Sequence, residues 1–467
     1  MIIFFYFIFI KLILCFIPIP KENGFLNSPY NHQSTDNLYF IFEHFRHGAR
    51  SPCNGEFINN TDDLGGKWQN YGFLSKVGIK QHYTLGQLNR KRYNNFISNT
   101  YNSKEIKVFC SNYNRTMMSA QSQLLGFYNS YNYNDIKITD DIISEELMKN
   151  KMNITSIIPP VNLIEEQNNI KYNKYDIIFS EKFRCPIHKQ MIQKNIKEIN
   201  KLETFHKLNS IQAKFNQKYS DIFIKEFNMR KNYTHNYTGM YTFCDIYICH
   251  YFDDGENRLR IDNIEKKYKN FKTIDLLNMC YDYFQEKFFK IEGAEYAKES
   301  SVIIMSKIVG KIVKYMENRI NKKDPKYIGQ DAPKFILYSG HDDTLTQMQL
   351  FLNKFFNIKT EWVPFASTQI FELRKYGNNF FVELYYNNRL KMNITFQKFV
   401  ENVKKSVMDD EEINEKCYGF RRSKKFPIIF GLILILIFMF VTFISTCIYY
   451  YLEKRKYEKP PKLVLIA

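Results

Sequence analysis

The chain has 467 residues, of which 45% are hydrophobic, and its formal net charge is +18. This hydrophobic content excludes a disordered protein and is enough for one long domain with an insertion, or for two domains. The charge does not indicate a nucleic-acid-binding protein, because the last 47 residues alone hold nine Lys or Arg against two Glu. The remaining excess, spread through an Asn-, Lys- and Ile-rich sequence, favours anionic substrates at most mildly.

The N-terminus is strongly apolar. Residues 1–20 read MIIFFYFIFIKLILCFIPIP and are interrupted only by Lys11. A short apolar segment at this position, followed by polar sequence, predicts a cleaved signal peptide over residues 1–22. An uncleaved anchor is the alternative, because the segment lacks a basic start.

Three short apolar segments read as buried strands, each followed by a helical pattern: residues 37–45, 106–111 and 335–340. Alternation of strand and helix predicts a parallel sheet. Apolar residues three or four apart dominate residues 150–320, and a Gly-Asn turn joins two strands within residues 367–386. The predicted fold class is therefore α/β, with a parallel-dominated central sheet flanked by helices and an inserted, mainly helical subdomain.

Residues 426–452 form a run of 27 residues without a charge, which is long enough to cross a bilayer. Basic residues flank both ends, so the positive-inside rule alone does not orient the helix. Combined with a signal peptide, it predicts a single-pass type I membrane protein. Residues 25–420 would then be luminal or extracellular, and residues 453–467 would form a cytoplasmic tail.

Smaller features agree with a luminal domain. An oxidising lumen would pair most of the seven cysteines outside the signal and the span, leaving one over. Zinc is disfavoured at Cys244, Cys249 and His250 because no CxxC spacing or second ligand pair is present, so we expect a disulfide or burial there. Glycosylation sequons, which support the topology only weakly in so Asn-rich a chain, begin at Asn59, Asn153, Asn232, Asn236 and Asn393.

The chemically reactive residues follow the three predicted strands. Because carboxyl ends of parallel strands meet at one edge of a sheet, we expect these side chains to share one site. The first strand leads into residues 43–52, EHFRHGARSP, and the second and third lead into RTMMSA and SGHDDTL. The candidate residues are Arg46, His47, Arg50, Arg115, His341 and Asp342.

This set is suited to phosphate chemistry. Three guanidiniums can hydrogen-bond the oxygens of a tetrahedral dianion, and their charge should keep His47 neutral and nucleophilic. Gly48 would let the backbone turn tightly near the anion. Asp342 would protonate the leaving oxygen, and a protonated carboxyl group becomes available as the pH falls. The pattern thus predicts a phosphohistidine intermediate, an acid optimum and no need for a metal or other cofactor.

RHGARSP matches the RHGxRxP signature of the histidine acid phosphatases, which are branch 2 of the histidine phosphatase superfamily, and SGHDDTL resembles their HD motif. Residues 74–86 resemble the family's LTxxGxxQxxxLG stretch, residues 115–120 its RTxxSA segment, and residues 367–386 its late FEL hairpin. The resemblance covers about residues 37–400, and it implies a phosphatase domain over residues 37–410.

The resemblance also implies roles for single residues. His47 would be the phosphorylated nucleophile and Asp342 the proton donor. The signal and the single C-terminal span are similar to the lysosomal type of the family, and the family's pairing pattern implies a disulfide between Cys185 and Cys417. The phosphate ligands would be Arg46, Arg50, Arg115 and His341.

Two departures from the family pattern lie close to these residues. Residues 110–114, CSNYN, replace the usual run before the arginine, and Asp343 follows the HD pair. Asp343 adds negative charge, which would weaken phosphate binding or alter the pH optimum. The sequon at Asn114 falls in the expected pocket, so we expect it to carry no glycan, and we interpret His44 and His82 as structural residues with local hydrogen bonds.

The preferred function is a membrane-anchored acid phosphatase acting on phosphate monoesters in a lysosome, an endocytic vacuole or at the cell surface. An inositol polyphosphate phosphatase similar to phytase is the alternative within enzymes. A non-catalytic, receptor-like binder of phosphorylated ligands is the alternative outside them. The expected partners are small phosphate esters and the membrane, without nucleic acid, and a homodimer is left open.

Overall fold

The computed structural model describes residues 35–53, 70–128, 162–164, 203–227, 237–291, 295–321, 332–418 and 426–457, with isolated positions 68, 190, 194 and 197. The predicted signal peptide, Cys185 and the sequons at Asn59, Asn153, Asn232 and Asn236 lie outside these residues. The described residues up to Asp409 form one compact unit, and those from Asp410 onward form a second.

Seven strands in the described part form one sheet. The strands are β1 (Leu38–Arg46), β2 (Ile106–Ser111), β3 (Asn162–Ile164), β4 (Phe335–Gly340), β5 (Thr368–Tyr376), β6 (Asn379–Tyr386) and β7 (Arg389–Thr395). Their order in the sheet is β3-β2-β4-β1-β5-β6-β7. The three strands predicted before the candidate residues are confirmed to within one residue as β1, β2 and β4.

The prediction of a parallel-dominated sheet is wrong, because the sheet is mixed. Strands β3, β2, β4 and β1 run parallel, whereas β1–β5, β5–β6 and β6–β7 are antiparallel pairs. Two-residue loops produce the β5–β6 and β6–β7 pairs, the first of which confirms the hairpin predicted at the Gly-Asn turn. Gly377 (φ 58°) lies in one, and Asn387 (φ 45°) and Asn388 (φ 62°) form the other. Left-handed residues of this kind return the chain directly beside the strand it has left.

Helices surround the sheet, and the described residues between β3 and β4 are mainly helical. Short π-helical segments, Asn216–Ser220 and Glu286–Ile291, also occur among the described residues. The helices are α1 (Lys76–Tyr93), α2 (Asn114–Tyr128), α3 (Glu203–Phe215), α4 (Asp221–Phe227), α5 (Tyr237–Tyr251), α6 (Glu256–Lys267), α7 (Thr273–Gln285), α8 (Glu295–Asn321), α9 (Asp342–Phe356), α10 (Phe396–Lys404), α11 (Asp410–Tyr418) and α12 (Phe426–Tyr457).

Both faces of the sheet are buried at β1, which explains why this strand begins with five apolar residues in a row. Alternate residues of the strand point to opposite faces. Ile41 and Phe45 pack in the cluster that includes residues of α1 and α2, and Phe40 and Phe42 pack in the cluster that includes α8 and α9. The strands are therefore held rigidly at the edge where the candidate residues emerge.

Helices α3 to α7 build a second core rich in aromatic rings, including Phe215, Phe223 and Phe243. A disulfide between Cys244 and Cys280 joins α5 to α7, which agrees with the expectation of disulfide or burial for Cys244. Cys249 is buried with a free thiol. The described part of residues 150–320 is mainly helical, as predicted, apart from the short strand β3. The boundary of a separate subdomain remains a prediction.

Helix α12 belongs to the second unit. Its segment Leu432–Arg455 is long and apolar enough to cross a membrane, by length and composition, and none of its side chains is buried. The helix contains the span of residues 426–452 that the sequence predicts.

Candidate active site

The two histidines of the site are brought together by strand pairing. Strands β1 and β4 are parallel neighbours in which Arg46 lies opposite Gly340. The next residue of each strand is a histidine, so His47 and His341 leave the sheet side by side. Their ring centroids are 5.5 Å apart, and the backbone N–H of His47 donates to the carbonyl of Gly340 at 3.0 Å.

Strand β2 lies on the other side of β4 and supplies a chain of hydroxyl groups to His341. The Nε2 atom of His341 is 2.8 Å from the Ser111 hydroxyl, which is 2.9 Å from that of Thr116. Since the Thr116 hydroxyl donates to backbone carbonyls, Ser111 donates to Thr116 and accepts from Nε2–H. The other ring nitrogen, Nδ1, then keeps a lone pair toward Nη2 of Arg115, 3.4 Å away.

His47 is held as a neutral imidazole with one nitrogen available. Its Nδ1 donates to the carbonyl of Gly48 at 2.8 Å, so that Nε2 carries the lone pair. Burial, together with the positive charges of Arg115, Arg46 and Arg50, lowers the pKa of His47 well below its usual range. The arginines thus lower the pKa of His47, as predicted from the sequence, but burial of the ring lowers it more.

Gly48 is required for a reason that differs from the predicted turn. Its backbone does not use the left-handed region, which among the described glycines is occupied by Gly72 and Gly377. A Cβ at position 48 would lie 2.6 Å from the Cα of Gly78 in α1. The glycine therefore allows close packing of the loop after β1 on α1. Its N–H donates to the hydroxyl of Ser119 in α2 at 3.1 Å.

Arg46 is buried and held at its outer end. Its Nη2 pairs with Asp342 at 2.7 Å, and its Nη1 donates to the carbonyl of Val363 at 2.6 Å. The guanidinium also stands 4.4 Å from the ring centre of Phe365. Its Nε is buried and has no hydrogen-bond partner among the described residues. Asp342 itself is 27% exposed, so it can reach both Arg46 and a bound molecule.

Arg50 is held in the same manner by Asp245, a residue outside the set of candidates predicted from the sequence. Its Nη2 is 2.9 Å and its Nη1 3.4 Å from the two carboxylate oxygens of Asp245 in α5. Its Nη1 also contacts the carbonyl of Ser51 at 3.0 Å and the sulfur of Cys249 at 3.5 Å. Although burial opposes it, Asp245 raises the pKa of Arg50 well above its usual range.

Asp343 lies beside the site at the start of α9. Its carboxylate accepts from the backbone N–H of Thr344 at 2.7 Å. Burial, followed by the neighbouring charge of Asp342, raises the pKa of Asp343 to about 7. The residue that departs from the family pattern therefore changes its charge near neutral pH.

His44 and His82, which we interpreted as structural, support the site through partners that are far away in the sequence. Nε2 of His44 is 3.2 Å from the hydroxyl of Thr344. Nε2 of His82 is 3.2 Å from the carbonyl of Arg46, and its Nδ1 is 3.1 Å from the amide oxygen of Gln123. The prediction of local hydrogen bonds is wrong, because the sheet and its covering helices bring these residues together.

The structure brings all the candidate residues to the carboxyl edge of β1, β2 and β4. Ser111 and Asp245 also belong to the site, although they were not predicted from the sequence. Asp245 could have been predicted, because it is the one acidic residue in the otherwise apolar sequence of α5. A single carboxylate in such a helix needs a partner. The residues that converge are Arg46, His47, Arg50, Arg115, His341 and Asp342.

A buried neutral histidine among three arginines, with a carboxylate beside it, is the arrangement of a phosphatase that works through histidine. Residues 33–387 match the family model of the histidine phosphatase superfamily (branch 2). The chain belongs to this superfamily, which confirms the resemblance seen in its motifs. The enzyme class is accordingly that of the phosphomonoesterases.

Curated relatives are acid phosphatases of two kinds. The chain is 23% identical over 364 residues to prostatic acid phosphatase of Bos taurus, covering 76% of this chain and 78% of the relative. It is 26% identical over 361 residues to lysosomal acid phosphatase of Xenopus laevis, covering 75% of this chain and 69% of the relative.

Solved structures share the fold. Hafnia alvei phytase in complex with tartrate matches with a TM-score of 0.51 at 12% identity, covering 80% of this chain and 98% of that one. The phytase from D. castellii matches with a TM-score of 0.51 at 13% identity, covering 83% of each chain. At these identities the likeness concerns the fold alone.

Proposed function

We propose that the protein is a membrane-anchored acid phosphatase that hydrolyses phosphate monoesters through a phosphohistidine intermediate. The observation that carries the proposal is the state of His47. Its Nδ1 proton is committed to the carbonyl of Gly48, which leaves Nε2 as a nucleophile among three guanidiniums.

In the first step Nε2 of His47 attacks phosphorus, so that an N–P bond forms while the ester P–O bond breaks. Arg46, Arg50 and Arg115 hold the phosphoryl oxygens and balance their charge. Asp342 gives its proton to the departing oxygen. Asp342 acts here in its protonated form, and its contact with Arg46 at 2.7 Å keeps the carboxyl group beside the phosphate that Arg46 binds.

In the second step water attacks the phosphohistidine, the N–P bond breaks, and the Asp342 carboxylate takes the proton of the water. His47 is returned neutral and inorganic phosphate leaves. We assign His341 an indirect part in phosphate binding: its Nδ1 lone pair accepts from Arg115 and orients that guanidinium toward the phosphate. The hydroxyl chain from Ser111 to Thr116 keeps that ring in one tautomer.

We further propose that residues 1–22 are a signal peptide, that residues 37–410 form a luminal or extracellular catalytic domain, and that residues 426–452 span the membrane before a tail of residues 453–467. The apolar, exposed side of α12 supports the span. A lysosomal or endocytic location, or the cell surface, is consistent with relatives named lysosomal and prostatic acid phosphatases.

A phytase-like activity is the weaker alternative. It rests on the fold of the phytases, which at 12–13% identity carries no information on substrate. A receptor-like binder is weaker still, because the nucleophile, the phosphate ligands and the proton donor are all present.

The test uses the full chain in detergent with p-nitrophenyl phosphate and phytate between pH 4 and 8. We expect turnover of p-nitrophenyl phosphate at acid pH, and a loss of more than about 1,000-fold in kcat for His47→Ala. The exposed His206→Ala is the matched control and should keep full activity.

The intermediate is tested on the same preparation. A radioactive phosphate ester should leave label on the wild type that is stable to alkali and labile to acid, as expected for phosphohistidine. Equal activity of His47→Ala and wild type would refute the proposal. Faster release of phosphate from phytate than from p-nitrophenyl phosphate would favour the alternative enzyme.

A further inference from the structure

We infer that Asp245 is a positioning residue of the phosphate site, which holds the guanidinium of Arg50 so that its remaining edge faces the bound phosphate. The inference rests on the proposed function of Arg50 as a phosphate ligand. It makes helix α5, which is 195 residues away in sequence, a part of the active site.

The contacts of Arg50 use one particular edge of the guanidinium. A guanidinium has five N–H groups, arranged as an end edge with Nη1 and Nη2 and a side edge with Nε and Nη2. Asp245 accepts at the end edge, from Nη2 at 2.9 Å and from Nη1 at 3.4 Å. The carbonyl of Ser51 and the sulfur of Cys249 accept from Nη1 as well.

The side edge is left for an anion. Nε of Arg50 is buried and has no hydrogen-bond partner within the described part of the chain. A tetrahedral phosphate can accept from Nε and Nη2 through two oxygens without displacing Asp245. Arg46 repeats the arrangement, with Asp342 and Val363 at its end edge and its Nε likewise unpartnered among the described residues.

Asp245 is itself fixed in place. The preceding residue, Cys244, forms the disulfide with Cys280 that joins α5 to α7. One turn further along, Cys249 contacts the same guanidinium. A carboxylate on an anchored helix can therefore restrict a long side chain that would otherwise have several rotamers.

The direction of the effect separates positioning from simple electrostatics. Asp245 carries a negative charge close to a site for anions, so removing that charge should strengthen phosphate binding if only charge matters. If Asp245 positions Arg50, removing it should weaken phosphate binding, because the side edge is no longer held toward the ligand. The two explanations predict opposite signs.

The experiment measures inorganic phosphate binding by calorimetry, and KM and kcat with p-nitrophenyl phosphate, on the full chain in detergent. We expect Asp245→Asn, which is isosteric and uncharged, to weaken phosphate binding about tenfold and to raise KM by a similar factor. Asp245→Glu keeps the carboxylate and should restore much of the loss. Asp262→Asn, which breaks the Arg258–Asp262 ion pair of α6 in the same helical region, is the matched control and should change neither quantity.

A double-mutant cycle tests whether Asp245 acts through Arg50. In an Arg50→Ala background, Asp245→Asn should have no further effect on phosphate binding. The double variant leaves neither of the two charges buried without its partner, so it remains informative if Asp245→Asn folds poorly. Additive losses in the cycle would overturn the inference.

Other outcomes are equally decisive. Unchanged or tighter phosphate binding by Asp245→Asn would overturn the inference. A wild type that binds phosphate but hydrolyses no ester would refute the proposed function, while the binding data would still decide the role of Asp245. A wild type that binds no phosphate would overturn both.

Discussion

Asp343 directly follows Asp342, the proposed proton donor, and the charge of Asp343 changes near neutral pH. Burial first, and then the charge of Asp342, raises the pKa of Asp343 to about 7. Below that pH the Asp343 carboxyl is neutral, and above it the carboxylate adds a negative charge beside the phosphate site. Repulsion of an anionic substrate therefore increases as the pH rises through 7.

We expect the KM of the wild type for p-nitrophenyl phosphate to rise about threefold to tenfold between pH 6 and 8, as a unit charge within several ångströms would cause. Asp343→Asn stays neutral and should show a KM that changes little over this range. Steady-state kinetics at fixed ionic strength make the comparison. The exposed Asp275→Asn is the control, and identical KM profiles for Asp343→Asn and wild type would contradict the prediction.

At the scale of elements, strand β1 is joined to α1 and α2 by a buried polar network. The fully buried carboxyl of Glu43 accepts from the side-chain amides of Asn89 and Gln123, each at 2.8 Å. Burial raises the pKa of Glu43 to about 7, against the opposing effect of these hydrogen bonds. Gln123 then connects to His82, which contacts the carbonyl of Arg46.

The proton of Glu43 decides whether this network is satisfied. Both ring nitrogens of His82 face oxygen atoms in the described structure, and a neutral imidazole can donate to only one of them. If Glu43 is protonated and donates to the amide oxygen of Gln123, the amide turns over and donates to Nδ1 of His82. Nε2–H of His82 then donates to Arg46, and every group has a partner. The network beneath the site is therefore best satisfied at acid pH.

We expect Glu43→Gln to remove a pH dependence of stability. Glu43 has an ordinary pKa of 4.5 and a folded-state pKa of about 7. Between these values the folded state holds a proton that the unfolded state has lost, so the free energy of unfolding falls as the pH rises. The loss amounts to about 3 kcal/mol and is complete above pH 7.

The measurement is the difference in free energy of unfolding between Glu43→Gln and wild type, from urea titrations at pH 5 and pH 8. The difference should move by about 3 kcal/mol in favour of the variant at pH 8. Buried histidines contribute equally to both proteins and cancel. The exposed Glu401→Gln serves as the control, and a difference independent of pH would show that Glu43 is ionised throughout.

At the scale of the whole molecule, the chain has two described units that differ in where their apolar side chains lie. The unit up to Asp409 buries its apolar residues in cores around the sheet and among α3 to α7. Helix α12 in the second unit exposes apolar side chains along Leu432–Arg455. In water such a surface is unfavourable, whereas in a bilayer it needs no other partner.

We expect the full chain to remain with membranes after alkaline carbonate extraction, because a span of this length inserts stably. In sealed microsomes, added protease should remove a tag placed after Ala467 and leave the unit containing His47 intact. The same vesicles opened with detergent provide the control. Release by carbonate, or protection of the tag together with digestion of the catalytic unit, would contradict the type I topology.

Local patterns in the sequence were enough to predict the strands β1, β2 and β4, the helices after them and the apolar span. They also placed His47 and Asp342 at one site, because parallel strands end at one edge. These features depend on short windows of sequence, in which periodicity and a fixed motif directly reflect backbone geometry.

Only the tertiary structure decided the rest. The hairpin at Gly377 follows from the local sequence, but the antiparallel pairing of β5 with β1 joins segments far apart in the chain, and so does the contact of Asp245 with Arg50, which lie 195 residues apart. The proton arrangement beneath Arg46 depends on which side chains face Glu43 inside the core. Hydrogen bonds and burial of this kind are properties of packed surfaces, so no window of sequence contains them.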